Sequence, residues 1–286
     1  MNFIMIGGCL TAHDDVSNAK SIVENAKTKS EKIDIKNDSY SILKGEINEI
    51  KIDYQSALSI LMNAKTIDNN EKREIEYLTK KLNFNIQMLD YLLSYEDMMI
   101  HLQNSARYLD SNDYSSDRNE IDLARQDLAN AIGFSKQAKA TINSIDTNSV
   151  PLEDKGQVYK SVNFPYVTEP DNDFSIILDI IDIRINANEL LNQANGYLIH
   201  NDFNTAKPYL IASKTRFEEL KESSNRLKNS QNYETYEMAF NISETASKQI
   251  TDIDQVLSII PPSYSKINPL PFRIILPQPN NLLSLL

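Results

Sequence analysis

The chain has 286 residues, enough to bury a substantial core, with 41% hydrophobic residues, 24% charged residues and a formal net charge of −11. An acidic balance of that size argues against a nucleic-acid surface, because phosphate contacts need clustered Lys or Arg. It suits a molecule kept apart from its neighbours by self-repulsion. A single cysteine excludes an intrachain disulfide framework, and the absence of proline from residues 1–150 favours long, uninterrupted helices.

The N-terminus reads as a leader followed by a polar tether over residues 1–13. Cys9 closes the run Ile6-Gly7-Gly8-Cys9, which resembles the lipobox of bacterial and archaeal lipoproteins. The resemblance implies a lipid on Cys9, loss of residues 1–8 and an extracytoplasmic, membrane-anchored protein, with the cytoplasm as the alternative location. The apolar stretch before Cys9 is six residues long and carries no Lys or Arg. A signal peptide needs a charged start and an apolar region of ~7–15 residues, so the expected start codon lies further upstream. No later run is long and apolar enough to cross a bilayer, which leaves the lipid as the one membrane attachment.

A first helix is expected over residues 15–33 and a second over 40–67, with a joint near Asp53. Asp68-Asn69-Asn70 makes a turn into a long helix over 71–109, along which Ile75, Leu78, Leu82, Ile86, Leu89 and Leu93 trace an apolar stripe. Asn112-Asp113-Tyr114 turns the chain into a helix ending near residue 145. Residues 146–173, with Pro151, Pro165 and Pro170 among three aromatics, read as a long loop. Helices over 174–200, 204–229 and 232–260 follow, the second starting no earlier than Asn204 because Pro208 sits too deep for a cap at Asp202. The domain plan is therefore helical hairpins over 14–145, the loop, further hairpins over 174–260, and a Pro-rich, apolar tail over 261–286. That tail holds Lys266 and Arg273 and no acid. It is expected to dock on the helical body rather than hang free.

One phrase occurs four times: Asp, a large apolar residue, then small residues at helical offsets. The copies are Asp15-Val16…Ala19…Val23…Ala26, Asp53-Tyr54…Ala57…Leu61…Ala64, Asp113-Tyr114…Asp117…Ile121…Ala124 and Asp202-Phe203…Ala206…Leu210…Ser213. Offsets of four and three put the small residues on one helix face, where a second backbone can approach closely. Aspartate is a strong N-cap, so each copy reads as the start of the second helix of an antiparallel pair. The Lys or Arg closing each phrase reads as a solvated flank.

The phrase resembles the second helix of the tetratricopeptide repeat, and Tyr108 and Tyr197 match the tyrosine of that repeat's first helix. The resemblance implies an all-α array of helical hairpins that binds a protein or peptide. The chain departs from the family in its intervals of 38, 60 and 89 residues against ~34, in the missing closing proline and tryptophan, and in Asp117 at a small-residue position.

Catalytic and metal signatures are missing from the sequence: there is no Gly-rich phosphate loop, nucleophile elbow, zinc motif or EF-hand loop. Asp97 and His101 share a helix face but fall short of a metal site. The expected function is a non-enzymatic scaffold with no cofactor, no metal and a protein or peptide partner. A binding module for a small molecule or glycan is the alternative, with an enzyme built on facing carboxylates behind it. Tyr108, Tyr114, Tyr197, Phe203 and Tyr209 gather around expected hairpin turns and form the candidate binding surface.

Overall fold

The computed structural model describes residues 12–33, 40–162, 169–228 and 233–260. The protein is all-α. Its helices are α1 (Ala12–Ser30), α2 (Tyr40–Asn63), α3 (Asn69–Asp110), α4 (Tyr114–Asn143), α5 (Leu152–Val162), α6 (Glu169–Ile199), α7 (Phe203–Leu227) and α8 (Tyr233–Ile259). Cys9 and the tail over 261–286 lie outside the described residues, as do the expectations that rest on them.

Three sequence expectations change. The stretch expected as a loop over 146–173 contains α5, whose Val158 packs with Tyr77, Ile142, Ile145 and Val150 in one buried cluster. Helix α2 runs through Asp53 without a joint and stops before Ala64, which is half-buried and outside the helix. Helix α7 starts at Phe203, because the Asp202 side chain accepts from the Thr205 N–H at 3.1 Å. Pro208 then sits inside α7, where it removes the main-chain donor to Asn204 O and crowds that carbonyl.

The chain divides into two compact units whose boundaries fall inside α3, inside α4 and, within the 146–173 stretch, immediately before α6. Unit 1 holds residues 1–97 and 127–168; unit 2 holds 98–126 and 169–286.

In unit 1, copies one and two of the repeated phrase face each other. Val16 and Ala19 of α1 share a buried cluster with Ala57 and Leu61 of α2 and Leu82 of α3. Neither copy begins a second helix: α1 opens three residues before Asp15, and Asp53 lies in mid-helix. Asp53 serves as a salt-bridge partner instead, 2.7 Å from Lys29 Nζ. Helix α3 is capped by Asp68, whose Oδ1 accepts from the N–H groups of Asn70 and Glu71 at 2.8 and 2.9 Å.

In unit 2, copies three and four do begin second helices, and they do so identically. Asn112 and Asn201 adopt left-handed φ values of 58° and 60°. The Asp113 N–H bonds Tyr108 O at 2.9 Å and the Asp202 N–H bonds Tyr197 O at 3.0 Å, while Asn112 and Asn201 donate to Leu109 O and Leu198 O. Each turn is thus a Schellman motif with asparagine in the left-handed position, followed at once by an Asp cap. Asp113 Oδ1 accepts from the Ser116 N–H at 3.1 Å, as Asp202 does from Thr205. The turns of the two hairpins, α3–α4 and α6–α7, therefore match residue for residue at an offset of 89.

Candidate binding surfaces

In unit 1 a half-open groove of about 510 Å³ runs along α1. Its floor is apolar, formed by Ala19, Val23, Leu61, Leu78 and Leu82. Its rim carries Lys20, Glu24, Lys27, Lys81, Asn85 and Asp154, with Tyr54 and Ser30 beside them. The rim charges are held in place. Lys20 pairs with Glu74 at 2.5 Å and Lys81 with Asp154 at 2.8 Å. Tyr77 Oη donates to the same Asp154 oxygen at 2.7 Å, and the Lys81 ammonium lies 5.8 Å from the centre of the Tyr77 ring. Burial alone would raise the Asp154 carboxyl; the hydrogen bonds from Lys81 and Tyr77 outweigh it and hold the group below its ordinary value. Burial pushes the Tyr54 phenol up, with the charge of Glu24 adding to it.

Unit 2 carries a buried polar cluster on the first hairpin. Ser105 of α3 and Asp117 of α4 are both fully buried, and Ser105 Oγ donates to Asp117 Oδ1 at 2.5 Å. The other Asp117 oxygen is buried without a hydrogen-bond partner among the described residues, as is Oδ1 of buried Asn188 on α6. One turn from Asn188 lies Arg184, 5% exposed, within electrostatic reach of Asp117 and Asp110. Burial pushes the Asp117 carboxyl up to about 6, against the lowering influence of Ser105, Arg184 and Arg118. Burial likewise lowers the Arg184 guanidinium to about 10, against the carboxylates of Asp117 and Asp110.

Around that cluster α4 and α6 run antiparallel. Tyr114 Oη meets Asn188 O at 3.3 Å, Arg118 Nη2 bonds Glu189 at 2.5 Å and Asn186 at 2.7 Å, and Arg125 Nη1 bonds Asp179 at 2.6 Å. Arg125 and its counterpart Lys214 are not merely solvated flanks. Each reaches a later helix, Arg125 to Asp179 of α6 and Lys214 to Asp254 of α8 at 2.7 Å.

The five aromatic residues expected at hairpin turns are all there, in different settings. Tyr114 and Phe203 are buried at equivalent positions directly after their caps. Burial pushes the Tyr114 phenol up to about 12, with the Glu189 and Asp117 charges adding to it. Tyr197 and Tyr209 are half-buried and stacked, with ring centres 5.5 Å apart and planes at 19°. Tyr108 is exposed at the turn of the other hairpin. The surface that remains accessible is thus the Tyr197–Tyr209 pair and, separately, Tyr108.

Asp97 and His101 have different partners: Asp97 bonds Lys44, and His101 Nδ1 lies 2.6 Å from Glu120 Oε2. Among the described residues no three His, Cys, Asp or Glu side chains group as they would around a metal ion. Neither the groove nor Arg184 and Asn188 is marked by a motif in the sequence. The groove has no motif, since it is assembled from four helices. Asp117 did leave a signal, as the one acidic residue at a small-residue position of the repeated phrase.

Fold and surfaces together define the class: an all-α protein of antiparallel hairpins, eight helices among the described residues. Comparison with protein-family models, curated proteins and solved structures returns no match.

Proposed function

We propose that the protein is a non-enzymatic helical scaffold that binds a protein or peptide segment, and that its hairpins are degenerate tetratricopeptide-like repeats. The observation that carries this reading is the unit 1 groove. Its apolar floor offers burial to a segment's hydrophobic side chains, and its rim presents ion-paired groups that fix orientation without converging on a reacting atom. The repeat reading draws on the two hairpins of unit 2, which share their turn and cap.

A photo-crosslinking residue placed at Val23 or Leu78 tests the proposal in cells that make the protein natively. Both variants are expected to trap the same partner, and one at exposed Lys248 on α8 is expected not to. Identical crosslinking patterns from groove and control positions would remove the groove from consideration. A second reading, a module for a small molecule or glycan, is favoured by the groove's volume, which falls within the ~300–1,000 Å³ of small-ligand sites. Native mass spectrometry of the protein from its source distinguishes the two: a retained small molecule supports the second reading.

The proposed location is extracytoplasmic, through a lipid on Cys9. Its support is the lipobox-like run before Cys9; among the described residues, no helix is long and apolar enough to cross a membrane. The expected outcome of mass spectrometry is an N-terminus starting at a diacylated Cys9, and Cys9→Ser is expected to release the protein from the membrane fraction.

A further inference from the structure

In the second hairpin of unit 2, Ala194 of α6 and Ala206 of α7 hold the seam positions by register, and both are fully buried. Ser105 and Asp117 fill the equivalent positions of the first hairpin, 89 residues earlier, and are buried as completely. Small apolar residues therefore suffice at this seam. The first hairpin instead keeps a carboxyl group in it, together with a buried guanidinium from α6. A seam of that kind is costly to bury, and among the described residues one of the two Asp117 oxygens has no hydrogen bond to offset the cost.

The register of α4 against α6 shows what the cluster lacks. Tyr114, one turn before Asp117, meets the main chain of Asn188, so Asp117 lies opposite the turn of α6 that runs from Arg184 to Asn188. That turn offers a buried acceptor, Asn188 Oδ1, with no donor. An ionised Asp117 only accepts hydrogen bonds. A protonated one has an O–H to give.

We propose that Ser105, Asp117 and Arg184 form a proton-controlled latch at the seam between the α3–α4 hairpin and α6, strained while Asp117 is ionised and closed when Asp117 takes up a proton. The charged groups around Asp117 are His101 and Asp110 of α3, Asp113, Arg118 and Glu120 of α4, and Arg184 and Glu189 of α6. Of these, Asp113 is engaged by Ser116, Arg118 by Glu189, and His101 by Glu120. Arg184 and Arg118 favour the ionised form and Asp113 the protonated one, while burial outweighs them all.

The sign follows from linkage. Because the folded carboxyl titrates above its ordinary value, the folded state binds this proton more tightly than the unfolded chain does. The seam therefore gains stability as pH falls through about 6 and loses it again as pH rises. That is opposite to the usual behaviour of a salt-bridged carboxylate.

Thermal melting of the full-length protein and of Asp117→Asn between pH 4.5 and 7.5 tests the latch. The amide keeps the Ser105 hydrogen bond and is neutral throughout, and the His101–Glu120 pair is present in both proteins, so the difference between the two isolates Asp117. The variant is expected to melt ~3–8 °C above the parent at pH 7.5, and the gap to narrow to roughly a third of that at pH 4.5. Parallel curves at every pH would overturn the proposal. Should Asp117→Asn fail to fold, hydrogen exchange of the parent decides: amides of residues 114–126 and 177–191 are expected to exchange more slowly at pH 5 than at pH 7.5 after correction for intrinsic rates. Equal protection would overturn it.

Discussion

The two hairpins of unit 2 share their turns, caps and aromatic plugs but differ at one pair of buried positions. The α6–α7 hairpin has alanine at both, whereas in α3–α4 a serine is hydrogen-bonded to an aspartate there. The shared parts are those that backbone chemistry demands: an asparagine for the left-handed turn and an aspartate for the helix start. The difference lies in a position where the backbone asks only for small volume. A carboxylate there is a departure from what folding needs, which is why it is the residue on which a pH response is placed.

The difference between the seams predicts an asymmetry in what each tolerates. Ala206→Asp places a carboxylate opposite Ala194, where no serine answers it. It is expected to cost about 3–5 kcal/mol in denaturant unfolding at pH 7.5, the scale of an uncompensated buried charge. A loss under 1 kcal/mol would mean that the second seam is not close-packed.

Overpacking comes next in size. Ala57→Leu, in the α1–α2 seam of unit 1, is expected to cost ~1–3 kcal/mol because Ala57 is fully buried against Leu61 and Leu82. Ala64→Leu is expected to cost much less, since Ala64 lies past the end of α2 and is half-buried. The turns should behave alike: Asn112→Ala and Asn201→Ala are each expected to lose up to about 1 kcal/mol, because asparagine tolerates the left-handed region better than alanine does. A large difference between them would break the equivalence of the two turns. Arg125→Ala and Lys214→Ala are expected to change stability by under about 1 kcal/mol, because both ion pairs are solvent-exposed.

Helix identity was legible in the sequence because periodicity and caps are local. The order α1 to α4 and α6 to α8 follows from apolar spacing and from Asp68, Asp113 and Asp202. Helix α5 was hidden by Pro151, Gly156 and the surrounding prolines, and it is held by tertiary burial of Val158 rather than by propensity. Asp15 and Asp53 misled for a related reason. The phrase describes a small-residue face, and such a face serves a helix interior as well as a hairpin start. The groove could not be read at all, since Lys20, Leu61, Lys81 and Asp154 come from four helices and meet only in space.

The most direct test of the two-seam account converts the first seam into the second. The triple variant Ser105→Ala, Asp117→Ala, Arg184→Met removes the carboxylate, its donor and the buried guanidinium together, and leaves Asp110, whose charge also acts on Arg184, exposed to solvent. Denaturant unfolding at pH 7.5 is expected to show a protein at least as stable as the parent, with the response between pH 4.5 and 7.5 that depends on Asp117 abolished. A triple variant that unfolds more than 2 kcal/mol below the parent would show that the polar seam holds the hairpin together, and would contradict the account.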